Sequence, residues 1–294
     1  MARTVGLARY AETNRMLASL LERRGPLVVV HRGSAKGSVA ENTVKAVRAA
    51  LAQGGDIMEL DVVASTDGEF FLFHDGYEPL HFGVGQRLTE LAAAEIEALN
   101  YRWCDARPGA YPVERLAAVL DGFPDEVFAL DRSWRWWPSL LDVLAARQTP
   151  GRFLLKSFMD ETSLRHLAEY PVKFPFLPIV STPEHVERVL GDPELNTVVL
   201  ELIADSPEHT FCDDGYLREL RSRNVLLLGN ALTLASGPPL YAGHDDDISI
   251  TVGPEAGWGV LMDKGFDLIQ TDWPALVSAH LRDRGLRQNW TGAP

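Results

Sequence analysis

The chain has 294 residues, 46% apolar and 23% charged, a composition that can bury a large core. Its net charge of −13 works against duplex nucleic acid and against an anionic membrane as bulk partners. Two cysteines, Cys104 and Cys212, are too few for a disulfide framework and point to a cytoplasmic location.

The first segment, residues 1–25, is expected to be an amphipathic helix. Leu7, Tyr10, Asn14, Leu17 and Leu21 share one side, and Gly25-Pro26 stops it. Charges from Arg3 to Arg24 break any apolar core that a secretory leader would need. No apolar run is long enough to span a bilayer, so stable membrane insertion is not expected. Strands are then expected at Leu27–Val30, Ile57–Val63, Phe70–Phe73, Val127–Leu130, Phe153–Leu155, Phe176–Val180, Val198–Ile203, Val225–Leu228 and Leu268–Gln270. Helical patterns fill most of the gaps, as at Glu41–Gln53, Ser163–Tyr170, Pro183–Leu190 and Tyr216–Arg223.

Strand, helix, strand in alternation builds a parallel sheet. One gap breaks the rule. Only ASTDGE separates Ile57–Val63 from Phe70–Phe73, and Asp67-Gly68 is a hairpin turn. So short a link cannot cross over, so Phe70–Phe73 is an antiparallel excursion. Eight parallel strands remain, the count of a (β/α)8 TIM barrel. An open doubly wound sheet is the alternative, but no glycine-rich nucleotide fingerprint follows an early strand. The expected layout is one domain over 1–294: a helix in 1–25, the barrel in 26–274, and a helix and tail in 275–294.

In such a barrel the carboxyl ends of the strands carry the chemistry. Those ends read His31-Arg32, then Glu59 and Asp61, then His74-Asp75, Asp131, Lys156, Glu201 and Asp272. Glu59 and Asp61 share one face of a strand and repel unless a cation or proton lies between them. With Asp131 they offer only oxygen ligands, which suits one Mg²⁺ or Ca²⁺ better than zinc. His31 and His74 can divide the work of base and acid. Arg32 presents a planar donor fork to a phosphate.

The stretches VVVHRGSAKGSVAENT, DIMELDVVASTDGEFFLFHD, LLKSF and GFDLIQTDWP together resemble the glycerophosphodiester phosphodiesterases. The resemblance implies a metal-dependent TIM-barrel phosphodiesterase acting on a small phosphodiester. His31 and His74 are then its acid/base pair, Arg32 its phosphate ligand, and Glu59 with Asp61 its metal ligands. Departures accompany the match. Asp131 stands where the family has Glu, and Ser133 where it has Lys. The related sphingomyelinase D branch has a similar Asp but keeps its Lys. Lys156, on the strand expected beside Asp131, is the local candidate for the missing positive charge.

Three further readings concern single segments. Trp134, Trp136 and Trp137 follow a strand end and are candidates for a substrate wall. Glu41 and Asn42 are candidate helix caps. His244 to Asp247 reads as a solvated loop, and His81 joins no motif. The expected function is hydrolysis of a glycerophosphodiester-like substrate. Two alternatives stay open: intramolecular transfer giving a cyclic phosphate, or a catalytically weak binder of a phosphorylated ligand.

Overall fold

Leu27–Val30, here β1, is buried along its whole length, and so is β2, Ile57–Ala64. A strand with no exposed face belongs in a sheet covered on both sides. The remaining strands of the computed structural model are β3 (Phe70–Leu72), β4 (Val127–Asp131), β5 (Phe153–Ser157), β6 (Phe176–Val180), β7 (Val199–Leu202), β8 (Leu226–Asn230) and β9 (Leu268–Thr271). The structure describes residues 4–287 apart from 104–106, 108 and 110. Cys104 therefore lies outside the described residues; Cys212 is a free thiol.

The parallel strands run β1-β9-β8-β7-β6-β5-β4-β2, and β1 pairs with β2 to close the ring. This is the eight-stranded barrel expected. β3 stands outside it, antiparallel to β2, with Val62 opposite Leu72 and Ala64 opposite Phe70. The excursion has its own small core, in which Phe71 and Phe73 pack with Phe82, Leu88, Ile96 and Tyr101. Two short helices belong to that segment, Glu78–His81 and Ala93–Glu97.

The helix expected in 1–25 spans Ala11–Arg24 (α1) and ends at Gly25, whose φ of +78° only glycine adopts easily. Its inner face is narrower than the sequence suggests. Asn14 and Leu17 are buried, whereas Leu7 is exposed and Tyr10 lies in a preceding 3-10 turn. Leu17 packs with Val5 onto the layer of Leu27, Val29, Ile57 and Leu154, so α1 covers the end of the barrel opposite the strand carboxyl ends. The next helix, α2 (Val44–Ala52), starts three residues later than the pattern indicates. Its cap is Thr43, whose hydroxyl accepts from the Ala46 amide at 3.1 Å. Glu41 and Asn42 are therefore not caps, which frees their side chains for the site. The segment between β8 and β9 folds into two further helices, Asp246–Thr251 and Trp258–Asp263. Among the described residues no helix is long and apolar enough to cross a membrane.

Candidate active site

Glu59 and Asp61 alternate on β2 toward the barrel interior, and register puts Asp131 of β4 directly beside Asp61. Glu59 and Asp61 are almost fully buried. One ligand oxygen from each of Glu59, Asp61 and Asp131 lies within 4.8 Å of the others. Each carboxylate accepts a hydrogen bond from a residue that follows or faces its strand end. The Arg32 amide donates to Glu59 Oε2 at 2.9 Å, Asn42 Nδ2 to Asp61 Oδ2 at 3.0 Å, and the Arg132 amide to Asp131 Oδ1 at 2.6 Å. All three holders adopt the left-handed conformation, with φ of +52°, +56° and +55°. Such strain in non-glycine residues persists where the surroundings enforce it.

The electrostatics set the three carboxylates apart. Burial, and then the Asp61 charge, push Glu59 up to about 8. Burial alone would raise Asp131 too, but Lys156 and the Arg132 amide outweigh it and hold the carboxyl below its ordinary value. Three converging hard oxygen donors, one of them pushed toward its protonated form, fit a divalent cation.

Both histidines face the same cavity of about 630 Å³. His31 Nδ1 is 2.9 Å from Asp272 Oδ1, and Lys36 lies 3.9 Å from the other Asp272 oxygen. Burial opposes charge on His31, yet the Asp272 hydrogen bond and Glu59 outweigh it and raise the imidazole above its ordinary value. His74 sits at the end of the excursion with its ring 4.2 Å from that of Tyr77. Burial, with Arg32 and Arg132 nearby, pushes it down to about 4. Its Nδ1 has no hydrogen-bond partner among the described residues.

Arg32 and Lys156 are both held by carboxylates inside that cavity. Arg32 Nη1 lies 3.0 and 3.1 Å from the two oxygens of Glu41, and Nε 3.1 Å from Asp61. Lys156 Nζ is 3.1 Å from Asp131, 3.0 Å from Glu201 and 3.3 Å from Gln270 Oε1. Burial opposes the Lys156 charge, but Asp131 and Glu201 raise its pKa above the ordinary value. Ser133 is buried and donates to the Leu130 carbonyl at 3.0 Å, so it sends nothing into the cavity.

Several sequence expectations need correction. None of Trp134, Trp136 and Trp137 lines the cavity. Trp137 is buried in the core, and Trp136 Nε1 lies 3.3 Å from the Val62 carbonyl. Trp134 lies edge-on to Phe158, which does line the cavity. Aromatic walls come instead from Phe158, Tyr77 and Trp103. His81 is not idle: buried at the excursion, it lies 3.4 Å from Glu41 and stacks on Trp103 at 5.4 Å. Asp246 is not solvated. It accepts from Thr271 Oγ1 at 2.7 Å, Trp258 Nε1 at 2.8 Å and the Asp272 amide at 2.9 Å, tying the β8–β9 segment to the end of β9. These roles depend on contacts distant in sequence and had no local pattern to mark them. The Glu41-Asn42 pair, nine residues beyond Arg32, is the local signal for the groups that hold Arg32 and Asp61.

A model of the glycerophosphoryl diester phosphodiesterase family matches residues 31–148, and one of a domain of unknown function matches residues 176–281. Comparison with curated proteins gave no match. Among solved structures, a glycerophosphoryl diester phosphodiesterase from Parabacteroides distasonis is 17% identical, with TM-score 0.72, covering 96% of this chain and 94% of its own. A glycerophosphodiester phosphodiesterase from Agrobacterium tumefaciens is 18% identical, with TM-score 0.63 and coverage of 86% and 99%. An Oleispira antarctica phosphodiesterase, solved with the product sn-glycerol-3-phosphate, is 18% identical, with TM-score 0.62 and coverage of 87% and 97%. At these identities the likeness is one of fold. What these structures share with the chain is the closed eight-stranded barrel. The family match covers residues 31–148, the part of the chain that carries His31, Arg32, Glu59, Asp61, His74 and Asp131.

Proposed function

We propose that the chain, as one domain over 1–294, hydrolyses a small glycerophosphodiester-like substrate in a cytoplasmic setting. The observation that carries this reading is the meeting of Glu59, Asp61 and Asp131 within 4.8 Å beside a cavity that both His31 and His74 line. The three carboxylates would hold one divalent cation, Mg²⁺ or Ca²⁺. Bound there, a cation supplies positive charge to a phosphate oxygen and acidifies an attacking water or hydroxyl. Arg32 and Lys156 bind and orient the phosphate from the two sides of the triad. The histidines differ in environment, and that difference supports a division of roles. His31, held by Asp272, keeps a proton and delivers it from Nε2 to the leaving alkoxide. His74, kept neutral, accepts the proton of the nucleophile.

The test is turnover of glycerophosphodiesters followed by phosphorus NMR, with and without chelator. A monoester formed only in the presence of a divalent cation supports hydrolysis. A cyclic phosphate supports intramolecular transfer instead. Binding without turnover in any divalent cation would reject the enzyme reading.

A further inference from the structure

The polar strand ends do not all continue alike. Along a strand, residue i+2 points the same way as residue i, one layer nearer the mouth. On β2 and β9 the second layer is polar, Glu59 then Asp61 and Gln270 then Asp272. Just past the ends of β5, β7 and β8 it is apolar: Lys156 is followed by Phe158, Glu201 by Ile203, and Asn230 by Leu232. All six of these residues line the cavity. Ile179, opposite Glu201 in register, and Leu240 join the same wall. Leu240 is held in place, since its carbonyl accepts from the Ala204 amide at 2.9 Å, directly after Ile203. Phe158 is 56% exposed although Trp134 buttresses it edge-on at 5.5 Å. A large ring supported in that way and left facing open space loses hydration cost only when something apolar covers it.

We infer that the β5–β8 half of the cavity is a subsite for an apolar alcohol group, so that the phosphodiester carries an alkyl or aryl substituent lying against Phe158, Ile179, Ile203, Leu232 and Leu240. The inference rests on the hydrolase reading for the position of the phosphate. The polar floor of Lys156, Glu201 and Asn230 lies beneath the phosphate-proximal end of that group. The apolar layer lies nearer the mouth, where a chain of several carbons emerges. A cavity of about 630 Å³ leaves room for one beyond the phosphate.

The experiment is a series of glycerol alkyl phosphodiesters from methyl to hexyl, all kept below their micelle concentrations, with kcat/KM read for each in saturating divalent cation. A rise of roughly 2–4-fold per added methylene is expected, and Ile203→Asn should flatten it. If the methyl ester is cleaved and the series is flat, the subsite is overturned while the hydrolase reading stands. If no ester is cleaved, the hydrolase reading fails. Calorimetric affinities for methyl and hexyl phosphate then decide the subsite, tighter binding of the hexyl compound supporting it and equal affinities overturning it.

Discussion

Asn42 and Asp61 exchange two hydrogen bonds: Asn42 Nδ2 donates to Asp61 Oδ2, and the Asp61 amide donates to Asn42 Oδ1, each at 3.0 Å. The exchange fixes a buried carboxylate from a residue that itself holds a φ of +56°. Asparagine suits both tasks, because it tolerates the left-handed region and carries donor and acceptor on one amide.

Removing that amide should loosen the triad. Asn42→Gly keeps the backbone conformation and loses both bonds; Asn42→Ala loses both and adds about 1–2 kcal/mol of backbone strain. Both variants should bind Mg²⁺ or Ca²⁺ roughly 10–100-fold more weakly by calorimetry. Only the alanine variant should show the additional loss in thermal stability. Wild-type cation affinity in the glycine variant would remove Asn42 from the ligand support.

The histidines should set the pH profile in opposite ways. His74 is pushed down to about 4, so kcat/KM should fall as pH drops toward that value and the base becomes protonated. His31 is raised, so activity should also fall at alkaline pH as the acid loses its proton. His31→Ala and His74→Ala should each lower turnover by roughly 10²–10⁴-fold. Asp272→Asn should move the alkaline limb to lower pH, since the Asp272 contact sustains the charge on His31. An unmoved limb in that variant would separate Asp272 from the acid function.

Cation binding should reverse the pH dependence of stability near neutrality. Without a cation, burial and the Asp61 charge push the folded Glu59 up to about 8, above its ordinary value of 4.5. The folded state therefore binds more protons than the unfolded one in that window. Stability from this group is fully present below the unfolded value and is lost as pH rises through 8. Saturating Mg²⁺ or Ca²⁺ takes the place of the proton, so its stabilisation should grow with pH and outlast that loss. Melting curves at pH 5, 6.5 and 8 with chelator or cation check this. Identical pH dependence in both conditions would argue against a cation among these carboxylates.

The sequence made the barrel legible because its strands are short apolar runs buried on both faces, and because one six-residue link excluded a crossover. The triad was legible for a similar reason: period 2 pairs Glu59 with Asp61, and the strand order brings Asp131 beside them. The holders of the triad were not legible. A left-handed φ at Arg32 and Arg132 is imposed by surroundings that no local pattern encodes. Asp246 departs from the solvated loop expected of it: three charged residues in a loop usually face water, whereas here Thr271, Trp258 and the Asp272 amide surround one of them. The tryptophans miss the cavity because the chain passes through a left-handed Arg132 into a 3-10 turn, Ser133–Trp136, after which Trp137 is buried in the core.

Lys156 poses the sharpest separation of structure from function. Its ammonium is buried between Asp131 and Glu201, so Lys156→Met leaves two carboxylates without their cation. Breaking a buried pair in this way costs about 3–5 kcal/mol, which alone would depress activity through instability. The double variant Lys156→Met with Glu201→Gln removes one of the stranded charges and should recover much of that stability. Its turnover should stay low, because the positive charge proposed for the phosphate is still missing and is worth about 3 kcal/mol in the transition state. Ser133→Lys should not restore it, since the Ser133 hydroxyl is buried against the Leu130 carbonyl and points away from the cavity. A stable double variant with near wild-type turnover would reduce Lys156 to a structural partner of Asp131 and leave Arg32 and the cation as the phosphate's positive charges.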